Sequence, residues 1–220
     1  MGKISDAPSD RTRLRRNHQR GHFDRPTLDA ILDATSFCHV GYVLDGKPSV
    51  TPTMHWREVD HVYWHGSSAS RALRASKHMD VCLTVTLMDG LVLARSAFHH
   101  SANYRSAMLF GRAEIVSDPD AKAEKLKTFV DSVVPGRWQS LRPMTAQEVK
   151  ATTILSIAIE DASAKIRSGG PADDDEDYDL PIWAGTVPME MVFRDAVPDE
   201  RNLAGIDVPD HVRALYRGQS

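Results

Sequence analysis

An antiparallel β-barrel with α+β character is the fold this chain predicts, mainly β with peripheral helices. Three observations carry that expectation. The chain holds six or more short apolar runs rich in β-branched residues, turn dipeptides join most of them as hairpins, and two or three helical patterns are inserted between them. Strict strand–helix alternation is missing, which excludes a Rossmann arrangement.

Each element follows from local signals. Pro26 suits the first position of a helix, where its missing N–H costs nothing, and Leu28, Ile31 and Leu32 give that helix an apolar face over about 26–34. Phe37 to Leu44 reads as a strand, closed by the hairpin turn Asp45-Gly46-Lys47. Val50 to Trp56 forms the next strand. Pro48 and Pro52 remove ladder donors from it, so part of its length should lie at an edge or face a ligand. After the turn Glu58-Val59-Asp60, Val62 to His65 makes a third strand, and a helix follows at about 68–77. Val81 to Leu87, a turn at Asp89-Gly90, and Leu91 to Arg95 continue the sheet. Arg105 to Val116 reads as a long strand, and Asp118-Pro119 opens a helix to about Val134 that Pro135-Gly136 stops. Thr152 to Ile159 and Ala162 to Arg167 are further strands, Asp173 to Asp177 an acidic solvated loop, and Pro181 to Phe193 a returning apolar pattern.

Composition narrows the function classes. With 220 residues, 41% hydrophobic, 26% charged and a net charge of -3, the chain has ordinary globular values and no excess of basic charge for general nucleic-acid binding. No apolar run is long enough to cross a bilayer, and the start of the chain lacks a signal-peptide core, so a cytoplasmic protein is expected. Residues 1–23, carrying Arg11, Arg13, Arg15, Arg16 and Arg20, read as a flexible basic arm, 24–200 as the folded domain and 201–220 as a tail. Cys38 and Cys82 sit in strand-like surroundings and read as reduced core thiols.

Two stretches carry the chemistry. In the run Tyr63 to Arg74, a strand passes through Gly66 and the serines Ser67, Ser68 and Ser70 into a helix start bearing Arg71 and Arg74. Free backbone N–H groups, hydroxyl donors and a guanidinium fork suit a phosphate. Serine caps helices without any ligand too, and neither GxxxxGK[ST] nor GxGxxG is present, so both readings stand at this point. The second stretch, Ala94 to Ser106, packs two arginines, two histidines, three serines, an asparagine and a tyrosine into thirteen positions. Such donors recognise carbonyl-rich or phosphorylated ligands, or satisfy one another at a subunit contact. Histidines are dense between positions 39 and 100 (His39, His55, His61, His65, His78, His99, His100), yet no HExxH and no Cys-x-x-Cys accompanies them, so no metal site is expected. Paired carboxylates and GxSxG are absent, so reactive atoms would belong to a cofactor.

On these residues the chain resembles the flavin-binding split-barrel superfamily of pyridoxamine phosphate oxidase, and more closely its nitroimidazole-reductase-like branch. The matching segments include Arg20 to Asp24, Thr51 to Arg57, Tyr63 to Arg71, Asp89 to Ser101, Asn103 to Ser106, Pro135 to Trp138, Ser163 to Arg167 and Trp183 to Gly185, over about 20–195. The resemblance implies a six-stranded split barrel and a homodimer with FMN at the interface. It implies Ser70 and Arg71 as phosphate ligands, with Ser67 in the same turn, and Pro52, Thr53, Met54 and His55 beside the flavin ring. His65 and Gly66 fall at the end of the next strand, His65 as the catalytic histidine, and Asn103, Tyr104, Arg105 and Ser106 on a flavin-contacting strand. Ala72 replaces the basic residue many relatives carry after the phosphate arginine, and His55 replaces the oxidase lysine. The implied activity is FMN-dependent oxidoreduction of a small organic acceptor, such as a nitro compound. A non-catalytic flavin carrier or redox-sensing module, and a haem-binding or haem-degrading split barrel, are the alternatives.

Overall fold

The computed structural model describes residues 7–76 and 79–217. Lys77, the expected end of the second helix, and His78 of the histidine-rich stretch lie outside the described residues. The chain divides into two compact units, 1–116 with 151–190 and 117–150 with 191–220.

The first unit is mainly antiparallel β and stays unclosed. Its strands are β1 (Gly21–His22), β2 (Phe37–Leu44), β3 (Lys47–Glu58), β4 (His61–Ser67), β5 (Asp80–Leu93), β6 (Ser101–Arg112), β7 (Glu114–Ile115), β8 (Thr152–Ala158), β9 (Asp161–Arg167) and β10 (Gly185–Pro188). They run in the order β1-β9-β6-β5-β2-β3-β4-β8-β7, with β10 on β5. Ten strands stand where the resemblance implied six. Three of the additions, β1, β7 and β10, are short.

Two long strands change partners midway, and this splits the sheet. β3 pairs β2 over Lys47 to Met54, then β4 over His55 to Glu58. Pro48 and Pro52 fall on the first half, where β3 has no second partner strand among the described residues, as the missing donors require. β5 pairs β6 along its length, β2 at Cys82 to Thr84 and β10 at Gly90 to Leu93. The expected turn at Asp89-Gly90 is therefore a bulge inside one strand, with the register slipping between Met88 and Gly90. Glycine is needed there, because a Cβ on Gly90 would lie 2.8 Å from the Val187 carbonyl oxygen of β10. The β2–β3 turn matches its signal, with Asp45 at φ 51° and Gly46 at φ 73°.

The core is built on this sheet from residues of most of its strands. Helix α1 (Arg25–Asp33), capped by Asp24 accepting from the Thr27 N–H at 2.9 Å, buries Leu28, Ile31 and Leu32 against it. Trp64, Val62, Leu83, Val85, Leu109, Leu155 and Ile157 complete the interior. Cys38 and Cys82 are free thiols, and burial pushes Cys38 up to about 12.

Three expectations change. Over its described residues the basic arm is packed rather than loose: Thr12 is buried, the Arg11 guanidinium lies 5.2 Å from the Phe110 ring centre, and β1 pairs β9. The acidic loop is not wholly solvated, since the Asp173 side chain is fully covered. The long strand expected to Val116 breaks at Ala113, whose N–H donates to the Met79 carbonyl at 2.9 Å.

The second unit holds α3 (Pro119–Val133), α4 (Ala146–Ala151) as far as Lys150, and α5 (Asp210–Arg217). Asp118 caps α3 by accepting from the Ala121 N–H at 2.7 Å, and Thr145 with Glu148 form a reciprocal capping box on α4. Among the described residues no helix is long and apolar enough to cross a membrane.

Candidate functional site

The run Tyr63 to Arg74 builds one side of a cavity. β4 runs two residues further than expected, because His65, Gly66 and Ser67 pair with Ile154, Thr153 and Thr152 of β8. The turn then occupies 68–70, and α2 (Arg71–Ser76) begins after it. Serines build this turn. The Ser67 hydroxyl oxygen accepts from the Ala69 N–H at 3.2 Å, and that of Ser70 from the Leu73 N–H at 3.4 Å. Each hydroxyl keeps its own O–H to donate.

Behind the turn lies a cavity of about 180 Å³ between β2, β3, β4 and α2. Val40, Trp64, Ala72 and Leu73 give it apolar walls, and Tyr42, Thr51, Thr53, Ser67 and Ser70 supply hydroxyls. The Tyr42 and Thr51 hydroxyls are 3.1 Å apart. Gly66 keeps the floor open, since a Cβ there would come 2.7 Å from Leu73 Cδ1.

His65 is half-buried and lines the cavity, its ring 6.0 Å from that of Trp56. Trp56 in turn stacks on Tyr63 at 5.5 Å and donates its indole N–H to Glu58 at 2.8 Å, which fixes the aromatic wall behind the histidine. Burial lowers the His65 pKa, so the ring is neutral at physiological pH and acts there as a hydrogen-bonding imidazole. Arg71 lies between the lining residues Ser70 and Ala72 in sequence but does not itself line the cavity; its Nη2 donates to Asp45 at 2.8 Å, and both side chains are about three-quarters exposed.

The other expected residues are placed elsewhere. Pro52 pairs with His39 and projects from the opposite face of β3 to Thr51 and Thr53, and Met54 shares that outer side. His55 does not line the cavity: it is buried, with its Nε2–H donating to the Leu32 carbonyl at 3.0 Å, and burial lowers its pKa. It ties the end of α1 to β3. Asn103, Tyr104, Arg105 and Ser106 lie on β6, away from the cavity walls. The side chains of Asn103, Arg105 and Ser106 are engaged within the chain. Arg105 grips Asp89 through Nε and Nη2 at 2.9 and 2.7 Å, and its pKa rises through those bonds. Asn103 donates to the Gly169 carbonyl at 3.1 Å and accepts from Arg167, and Ser106 donates to the Lys165 carbonyl at 3.4 Å.

Asp45, Tyr42 and Thr51 were not singled out as site residues. Asp45 read as a turn former, and nothing local announces a carboxylate reaching a guanidinium 26 positions on. Among the described residues no group of three or more His, Cys, Asp or Glu side chains converges as a metal site.

Residues 24–166 match the family model of pyridoxamine 5'-phosphate oxidase. The flavocytochrome Anf3 from Azotobacter vinelandii is 51% identical, with a TM-score of 0.92 over 95% of this chain and 98% of that one. The FAD and heme binding protein from Mycobacterium smegmatis is 37% identical, with a TM-score of 0.86 over 90% and 97% of the two chains. A putative 5-nitroimidazole antibiotic resistance protein from Bacteroides thetaiotaomicron shares the fold, at 21% identity and a TM-score of 0.55 over 66% and 86% of the two chains. No curated protein sequence matches the chain significantly.

Proposed function

The chain belongs to the pyridoxamine 5'-phosphate oxidase family, and from that premise we propose that it is a redox protein binding a flavin nucleotide and haem. The observation that carries this reading is identity of 51% across nearly the whole length of a flavocytochrome. The cavity fits one segment of a flavin. Its aromatic and aliphatic walls suit a ring or ribityl chain, Ser67 and Ser70 offer O–H donors, and Arg71 offers a phosphate fork.

FAD is the favoured flavin, with FMN the alternative that sequence resemblance implied. The Mycobacterium smegmatis protein is described as binding FAD. Asp45 beside Arg71 also sets a carboxylate against a terminal phosphate dianion and disfavours it more than a phosphodiester.

A flavin supplies hydride and electron transfer when bound. The residues of this chain hold and orient it. Arg71 and the serine turn bind phosphate, Thr51 and Thr53 present hydroxyls from β3, and neutral His65 offers one hydrogen bond in a site that Trp56 and Trp64 keep dry. At about 180 Å³ the cavity is smaller than the roughly 300–1,000 Å³ of a full ligand site, so a second copy completes it in the proposed homodimer. Phe37, Val43, Val50 and Met108 form an exposed apolar face suited to that contact. The proposed activity is oxidoreduction of a small organic acceptor in the cytoplasm, with a nitro compound as one acceptor to assay.

Absorption spectra of purified protein, with mass identification of the released chromophores, test this reading. A flavin nucleotide together with haem is expected. Protein that stays colourless after incubation with FMN, FAD and hemin overturns it.

A further inference from the structure

Two segments of the family resemblance, Arg20 to Asp24 and Ser163 to Arg167, play no part in the cavity. β1 and β9 bring them together, with Gly21 opposite Lys165, and the 3₁₀ turn His18–Arg20 packs beside β9. Arg167, the last residue of β9, is only 9% exposed, and Arg20 is half-buried. The hydrogen bonds of Arg167 all go to neutral oxygens. Its Nη1 donates to the Asn103 side-chain oxygen and to the Gly169 carbonyl at 3.2 Å, and its Nη2 to the Gly170 carbonyl at 3.1 Å. A guanidinium carries five N–H donors, so Nε–H and one Nη2–H keep no partner among the described residues.

A buried charge is costly unless an opposite charge meets it. Here the neighbour has the same sign. Burial, and then the Arg20 charge, hold the Arg167 pKa below the ordinary guanidinium value. Among the described residues no carboxylate pairs with either arginine. Those of this part of the sheet are taken, Asp161 by Arg11 at 3.7 Å and Asp89 by Arg105 at 2.7 Å. Lys165, two positions before Arg167, shares its face of β9 and adds a third positive charge there. Tyr104 of β6 is the cross-strand partner of Arg167 and stands on the same face, its hydroxyl without a hydrogen bond among the described residues. Two guanidinium forks and a phenol O–H, presented from two strands and a turn, surround the three oxygens of a phosphate better than a planar carboxylate.

We propose that Arg20, Arg167 and Tyr104 form a second phosphate-binding site, one that uses neither the cavity nor Arg71. The phosphate belongs to the distal half of a dinucleotide or to a separate phosphorylated molecule. Isothermal titration calorimetry of the full chain with sodium pyrophosphate tests the site, with Arg71→Ala as the background that removes the other phosphate fork. Binding should persist in that background and weaken about tenfold or more when Arg20→Gln is added, with Arg20→Lys keeping part of it. Pyrophosphate should raise the melting temperature of the background and leave that of the Arg20→Gln protein unmoved. Without pyrophosphate, Arg20→Gln should melt no lower than its background, because it relieves Arg167 of a like charge; a lower value marks a structural arginine and overturns the site. Wild-type protein saturated with FMN or FAD separates the two sources. Pyrophosphate excluded by FAD alone identifies the dinucleotide, and pyrophosphate bound beside either flavin identifies a separate molecule. No binding in the Arg71→Ala background, or equal binding after Arg20→Gln, overturns the site and leaves the flavin reading intact.

Discussion

The serine turn at 67–71 and the donor-rich run at 94–106 look alike as sequence, yet the fold uses them in opposite ways. At the first, serine oxygens accept from backbone N–H groups while the hydroxyl protons remain to donate, and the chain leaves a cavity behind them. At the second, Arg95, Asn103 and Arg105 spend their donors on Asp173, Gly169 and Asp89. Donor density alone therefore does not mark a ligand site. What decides is whether distant carboxylates and carbonyls reach the donors first, which leaves hydroxyls facing a cavity in one region and closes the other into a clasp.

Breaking the clasp should have the largest effect on stability. Asp173→Ala leaves the Arg95 guanidinium, 20% exposed, without its carboxylate, and should lower the midpoint of denaturant unfolding. Flavin affinity should be nearly unchanged. Arg71→Ala should invert that pattern. Loss of a charged hydrogen-bond partner should weaken flavin binding by about 1.5–3 kcal/mol in a fluorescence titration. Folding stability should move by less than about 1 kcal/mol, because the pair with Asp45 is exposed.

Acid should sharpen the contrast more gently. His55 and His65 have pKa values lowered by burial from the ordinary 6.5. Below that value the unfolded chain takes up protons that the folded chain refuses, so stability should fall as pH drops from about 6.5 toward the folded-state values. The slope is at most about 1.4 kcal/mol per pH unit for each histidine, and melting scans with the His65→Gln variant isolate one of them. The smallest effect belongs to Asp45→Asn. Freeing Arg71 from its exposed partner should tighten flavin binding by about 0.5 kcal/mol, read by the same titration.

Much of this architecture was legible where local chemistry decides it. Pro26 and the Leu28, Ile31, Leu32 stripe place α1, Asp45-Gly46 closes the first hairpin, and the prolines of β3 mark the half that pairs only with β2 among the described strands. Reading failed where a distant strand intervenes. Asp89-Gly90 has turn chemistry, but pairing with β6 and β10 carries the strand straight through it. The cavity was found through its serines and His65, while Tyr42, Thr51 and Asp45 were not, since their roles depend on register across β2 and β3 rather than on any pattern in the chain. His55 misled for a related reason: a strand histidine beside the site turns inward to the Leu32 carbonyl instead.

A crystal structure of the protein grown with FAD tests the central claim most directly. The expected result is flavin density in the cavity against Thr53, His65 and Ser70, with phosphate oxygens on Arg71. Flavin density bound elsewhere, with that cavity left empty, would contradict it.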